Sequence, residues 1–195
     1  MENETIKERF LGTIFGQAVG DALGLSTEFM SKQEVDRFYP NGIGDYSQIV
    51  QDDHRRRWQR GDWTDDTDMM LCILDSFVAC QKVDILDIAR RFKEWMMNGG
   101  MGIGRHTYCL DDEKSMGYTL RTLGAALWAY WHATSYKEGI LKIVLSGGDA
   151  DTNAAVAGAI LGAKFGICHI PEEWKDGLLY ASMLHNKVQE FYAMV

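Results

Sequence analysis

Proline is scarce in this chain, two residues in 195, and a sequence so poor in the residue that breaks helices favours long helices over many short strands. No uninterrupted apolar stretch reaches membrane-spanning length, so no membrane association is expected. Basic residues are in deficit: 20 lysines and arginines face 28 aspartates and glutamates, and the formal net charge of −8 opposes nucleic-acid binding, which calls for a basic footprint. The opening Met1–Thr5 is acidic and has neither the positive start nor the apolar core of a secretory signal, so a cytoplasmic location is expected. The four cysteines (Cys72, Cys80, Cys109, Cys168) show no C-x-x-C spacing, and three have apolar helical neighbours, which predicts reduced core thiols. The five histidines show no H-E-x-x-H pattern and read as surface or core residues; phosphate-loop G-x-x-x-x-G-K-S/T and serine-hydrolase G-x-S-x-G patterns are missing as well.

What is present is helical periodicity. Ile6, Phe10, Ile14 and Ala18, with Leu11, Phe15 and Val19 beside them, predict a helix running to about Gly20. Further apolar faces follow at Met69, Met70, Ile73, Leu74, Phe77 and Val78; at Ile85, Ile88, Phe92 and Trp95; at Met116, Leu120, Leu123 and Leu127; and at Ile140, Ile143 and Val144. Ala155 to Gly166 predicts a sixth helix, Pro171 with Glu172 and Glu173 a helix's first turn, and Leu184, Val188 and Phe191 the last helix. The expectation is one all-α domain over residues 1–195. Gly12, Gly16, Gly20 and Gly24 form one four-residue stripe, and Gly158, Gly162 and Gly166 another. Interior glycine costs a helix about 0.5–1 kcal/mol against alanine, so the stripes predict close backbone packing in a buried centre. The polar stretch Asp45–Gly61, with Arg55, Arg56 and Arg57, reads as a surface loop with solvated arginines, or as a phosphate holder in the less common case.

Two acidic clusters carry the chemistry. Trp63-Thr64-Asp65-Asp66-Thr67-Asp68 and Gly147-Gly148-Asp149-Ala150-Asp151-Thr152-Asn153 each open onto a helix-periodic run. A helix N-terminus accommodates one or two carboxylates, with Thr64 suited to the cap, but five are present here. Brought together, each pair about 4 Å apart would repel by roughly 4 kcal/mol at an effective dielectric near 20, so a cation is expected between them. Oxygen-only donors point to magnesium, manganese or calcium. An EF-hand is excluded, because Ala154 and Ile160 stand where its glycine and closing glutamate belong.

The series Gly20-Asp21-Ala22-Leu23-Gly24 with Glu28, Gly61-Asp62-Trp63-Thr64-Asp65-Asp66-Thr67, Ser146-Gly147-Gly148-Asp149-Ala150-Asp151-Thr152, Gly158 to Ala163 and Ile170 to Trp174 resembles the ADP-ribosylglycohydrolase family. The resemblance implies a compact orthogonal multi-helix fold with two Mg2+ or Mn2+ ions. It also implies hydrolysis of the bond from C1 of the distal ribose of ADP-ribose to a protein side chain or small group. Thr64, Asp65, Asp66 and Asp151 would then hold one ion and Asp149, Asp151 and Thr152 the other. Glu28, Asp66 and Asp151 would be the catalytic residues, with Asp21 either ligating or bracing. The chain departs from the family's pattern in being short between the second and third motifs, where relatives contact the ADP portion. A glycine-rich loop can cradle phosphate with its N–H groups, which makes Gly100 and Gly102, with Gly148, candidates for ligand binding, against the plainer reading of a flexible connection. The alternatives are a non-catalytic relative that binds ADP-ribose or metal, and a hydrolase of a smaller ribosyl compound.

Overall fold

The computed structural model describes residues 2–101 and 116–194, and among them it contains helices and no strand. In chain order these are α1 (Glu2–Gly24), α2 (Lys32–Phe38), α3 (Asp65–Cys80), α4 (Ile85–Met97), α5 (Met116–His132), α6 (Tyr136–Val144), α7 (Ala150–Phe165), α8 (Glu172–Asp176) and α9 (Ala181–Tyr192). Short 3-10 turns at Tyr46–Gln48, Arg55–Arg57 and Ile167–His169 complete the architecture.

Helices α1 and α7 pack antiparallel along their length and form the axis of the molecule. Their glycine stripes interlock: a Cβ on Gly162 would lie 1.8 Å from the Gly12 carbonyl oxygen, one on Gly16 2.2 Å from that of Gly158, and one on Gly20 2.0 Å from that of Ala154. Only Cβ-free backbone allows that approach, which explains why glycine is kept despite its helical cost. The same register ends with Gly24 against Ala150 and Asp151, so the zipper delivers the start of α7 to the end of α1. The residues from Ala18 to Glu28 are buried without interruption.

The other helices wrap this pair. Tyr136 of α6 is fully buried and its hydroxyl donates to the Gly16 carbonyl at 2.8 Å. Trp174 of α8 is equally buried, with its indole N–H on the Gly44 carbonyl at 2.6 Å. Phe191 of α9 stacks on Phe10 with centroids 5.1 Å apart.

Several sequence expectations change. The first helix runs to Gly24 rather than Gly20, and the sixth predicted helix begins at Ala150, because its first turn is the acidic motif itself. Pro171 is the N-cap of α8, one position ahead of the first turn. Helix α2, not expected, carries a Ser31/Glu34 capping box around a single buried residue, Val35, too little apolar periodicity to stand out. On α5 the buried face is Thr122, Ala126 and Ala129, while Leu123 and Leu127 are exposed; small side chains let α5 approach α7 closely. Cys72 and Cys80 are half-buried and Cys168 is exposed, so these three thiols are not in the core; Cys109 and Gly102 lie outside the described residues.

Candidate active site and metal centre

Asp21 of α1 is fully buried and its carboxylate accepts four hydrogen bonds. Oδ1 takes the Thr64 N–H at 3.1 Å and hydroxyl at 2.8 Å; Oδ2 takes the Thr67 N–H at 3.0 Å and hydroxyl at 2.6 Å. An α1 side chain therefore satisfies the N-terminus of α3. Thr64 does occupy the N-cap position, but it makes no capping bond of its own, because its hydroxyl is donated to Asp21. With two donors on each oxygen, Asp21 has little acceptor capacity left and acts as a brace.

Carboxylate oxygens of Asp21, Asp66 and Asp151 all lie within 4.8 Å of one another. Burial, followed by Asp66, pushes Asp21 up to about 8 against the pull of hydrogen bonds from Thr67 and Thr64. Burial raises Asp66 to about 6; a hydrogen bond from the Thr152 side chain opposes the rise, and Asp149 and Glu28 add to it. Asp151 is driven well above the usual carboxylate range by burial, then by Glu28, Asp21 and Asp66. Burial and mutual repulsion thus make it costly for these carboxylates to be ionised together unless a cation stands among them. Oδ1 of Asp151 is moreover buried without a hydrogen-bond partner. An orphaned buried oxygen beside repelling carboxylates fits a divalent cation and is otherwise costly.

Thr64, Asp65 and Asp151 share a cavity of about 240 Å³ with Glu28, Phe29, His54, Arg57 and Trp58. Glu28 sits on the turn after α1, where Phe29 adopts φ 60°, an uncommon backbone for a bulky side chain. The turn is held from two sides. The Phe29 N–H donates to the Gly148 carbonyl at 2.7 Å, and the Gly148 N–H donates to the Met30 carbonyl at 2.9 Å. From the other side, the Arg55 guanidinium donates to the carbonyls of Leu25 (2.9 Å), Ser26 (2.8 Å) and Glu28, and to the Asp52 carboxylate.

This corrects the reading of the arginine run at Arg55 alone, since Arg56 and Arg57 are exposed as expected. Arg55 is only 3% exposed and is a structural clamp; Arg56 is exposed and pairs with Asp53 at 3.0 Å; Arg57 lies over the Trp58 ring, 4.7 Å from its centroid. Removing the clamp in Arg55→Met would orphan three carbonyls and Asp52, an expected loss of at least about 2 kcal/mol in urea denaturation. Unchanged stability would show that the turn holds itself.

A second cavity of about 390 Å³ adjoins the first through their shared lining residue Trp58. Trp63, Trp95, Tyr180, Met101 and Met183 line it with the carboxylates of Asp62 and Asp68. Asp68 accepts both indole N–H groups, Trp63 at 2.9 Å and Trp95 at 2.8 Å, which fixes the two rings in its wall. Burial raises the half-buried Asp62 to about 6, against the Trp63 N–H that lowers it, and Asp68 adds to the rise. The cavity is thus aromatic and acidic, without a cationic lining residue among the described residues.

The family model described as ADP-ribosylglycohydrolase matches residues 2–112 and 105–194, nearly the whole chain. The chain belongs to the ADP-ribosylglycohydrolase family. Its similarity to the ADP-ribosylarginine hydrolase Tri1 of Serratia proteamaculans is 21% identity over 99% of this chain and 81% of that protein. The ADP-ribosyl-[dinitrogen reductase] glycohydrolase of Rhodospirillum rubrum is 23% identical over 91% of this chain and 92% of its own length. A solved structure, an ADP-ribosylglycohydrolase-related protein complex, superposes with a TM-score of 0.70 at 21% identity, covering 96% of this chain and 98% of that one, and so shares the fold. The alignment with the Serratia protein extends over 307 positions, so more than a hundred have no counterpart in these 195 residues.

Within this glycohydrolase, folding gathers Glu28 from the turn after α1, Thr64, Asp65 and Asp66 from the start of α3, and Asp151 and Thr152 from α7, with Asp149 as the N-cap of α7. The glycine candidates fare differently. The Gly148 N–H is taken by Met30, and the Gly100 N–H donates to the Trp95 carbonyl at 3.0 Å, so neither amide is left to cradle a phosphate. Gly100 instead packs on the Trp95 ring, where a Cβ would lie 2.5 Å away, in the wall of the aromatic cavity. Sequence reasoning missed His54, which contacts Glu28 at 2.6 Å, as well as the clamp Arg55. The local signal was faint: Asp52 caps the amides of His54 and Arg55, a turn readable in a sequence, but the turn does not say what it faces.

Proposed function

We propose that the chain, acting as one domain over residues 1–195, is a metal-dependent hydrolase of the bond between C1 of the distal ribose of ADP-ribose and a modified side chain. The observation that carries this is the convergence of Glu28, Asp66 and Asp151 from three distant segments around an unpartnered Asp151 oxygen. Thr64, Asp65, Asp66, Asp149, Asp151 and Thr152 would hold two Mg2+ or Mn2+ ions, with Asp151 common to both. When bound, the ions supply polarisation of the ribose hydroxyls and a lowered pKa for a water. Glu28, 8% exposed at the cavity wall, takes the proton from the attacking water, and Asp21 keeps the first turn of α3 in place. Phe29 and Trp58 narrow the cavity and limit bulk water.

The neighbouring cavity supports a cationic substituent on the ribose. Aromatic faces with carboxylates, and no lining cation among the described residues, suit a guanidinium, and two carboxylates would repel a diphosphate there. ADP-ribosylarginine is accordingly the first substrate to test, in keeping with the name of the Serratia relative. Trp95→Leu and Asp62→Asn should each raise KM for an ADP-ribosylarginine peptide by about 5- to 30-fold, and leave that for a serine-linked peptide nearly unchanged. Equal effects on both would remove the cavity from leaving-group recognition.

A smaller ribosyl compound is the second reading, favoured by the hundred-odd relative positions that have no counterpart here. Titration calorimetry of metal-free protein with ADP-ribose, with and without Mg2+ or Mn2+, separates the two. Metal-dependent binding supports the leading reading; metal uptake without ADP-ribose binding supports the second. Absence of both contradicts the metal centre itself.

A further inference from the structure

We infer that His54 is the positioning residue for Glu28, held in one tautomer by Arg57. This rests on the proposed role of Glu28 as the base. The three side chains form a directed chain. Arg57 Nη2 contacts His54 Nδ1, and His54 Nε2 lies 2.6 Å from Glu28 Oε2. A guanidinium only donates hydrogen bonds, so Nδ1 must offer its lone pair and the ring proton must sit on Nε2. The carboxylate then accepts that proton's hydrogen bond. One contact at each end therefore selects both the tautomer and the direction of the relay, although Arg57 itself is exposed.

The surroundings hold the ring as well as its protons. His54 is flanked by Phe29, 5.1 Å away between centroids, and by the edge of Trp58 at 5.3 Å. Arg57 is itself anchored: its Nε donates to the His54 carbonyl at 3.0 Å and its guanidinium lies on Trp58. The Glu28 backbone is clamped by Arg55, the adjacent residue of the same run. A single segment, His54-Arg55-Arg56-Arg57-Trp58, thus fixes the main chain of Glu28 through Arg55 and its side chain through Arg57, acting by way of His54. With Oε2 occupied by His54, Oε1 is the oxygen left to meet a water. A carboxylate free to rotate would present that oxygen only part of the time, so the relay raises turnover without touching the substrate.

The test has two arms that fail separately. In the first, the metal-free 195-residue chain labelled with 15N-histidine gives the His54 ring shifts, identified by their disappearance in His54→Gln. A protonated Nε2 with a bare Nδ1 is expected, and Arg57→Ala should convert this to an averaged imidazole. A protonated Nδ1 in the wild type would overturn the inference whatever the enzyme's substrate. In the second arm, kcat and KM are measured on an ADP-ribosylarginine peptide with Mg2+. His54→Leu should lower kcat by about 10- to 100-fold with KM nearly constant, the scale seen when the orienting partner of a functional group is removed. His54→Gln, whose amide N–H can stand where Nε2–H stands, should recover most of kcat. Equal losses in the two variants, or a change confined to KM, would refute the positioning role. A wild-type protein that turns over no ADP-ribosyl substrate would instead count against the hydrolase reading, and the spectroscopic arm would still decide on the relay.

Discussion

Asp151→Ala is expected to abolish hydrolysis of an ADP-ribosylated substrate while leaving the helical circular dichroism spectrum intact. Asp151 lies where the α1–α7 zipper ends, with one oxygen unpartnered and with burial, then Glu28, Asp21 and Asp66, raising its pKa. In metal-free protein the carboxylate is therefore a liability, and removing it relieves repulsion as it opens a small void. The metal-free variant should melt close to the wild type. With saturating Mg2+ or Mn2+ the two should diverge: an ion at a hundred times its dissociation constant stabilises the wild type by about 2.7 kcal/mol per site, and the variant should lose most of that gain. Full turnover by Asp151→Ala, or an undiminished metal-induced rise in Tm, would take Asp151 out of the centre. Asp66→Ala should behave the same way, because its carboxylate is the other one in the cluster that is not saturated by protein donors.

Among the described glycines, Gly162→Ala should be the most destabilising added methyl. The added carbon would lie 1.8 Å from the Gly12 carbonyl oxygen and 2.4 Å from its carbon, and both belong to helical backbone that cannot rotate away. Separating α1 from α7 is the only relief, and it would also shift Gly24 relative to Asp151. Overpacking of a core typically costs about 1–3 kcal/mol; a backbone-on-backbone clash belongs at or above about 3 kcal/mol, enough to leave a marginal protein largely unfolded. Gly124→Ala provides the contrast. Gly124 lies inside α5, exposed, and a Cβ added there would meet no atom within 4 Å, so the methyl should stabilise by about 0.5–1 kcal/mol through helix propensity. Urea denaturation of both variants checks the pair, and similar ΔΔG values would mean that the zipper is not the tight element of the fold.

The zipper was legible in advance because glycine at four-residue steps weakens a helix locally and is worth that cost only where backbones touch. The two acidic motifs were legible for a related reason: five carboxylates at helix starts exceed what the helix dipole can use. The α5 face was misread, since Leu123 and Leu127 look like core and Ala126 and Ala129 do not; closeness to a neighbouring helix, not hydrophobicity, chose the buried side. The cleft around Trp58, Trp63 and Trp95 escaped notice for want of a period: its walls come from a loop, the start of α3, α4 and α9.

Local rules thus determined from sequence alone that the chain is helical, where most helices run, and that two carboxylate clusters stand at helix starts. Those rules act over three or four residues and are written in composition and spacing. Tertiary structure alone decided that Asp21 braces α3, that Arg55 is buried beneath Glu28, and that His54 reaches Glu28 from 26 residues away. Such contacts depend on which backbone faces which after the helices have packed, and a side chain's partner across that distance leaves no mark on the residues beside it.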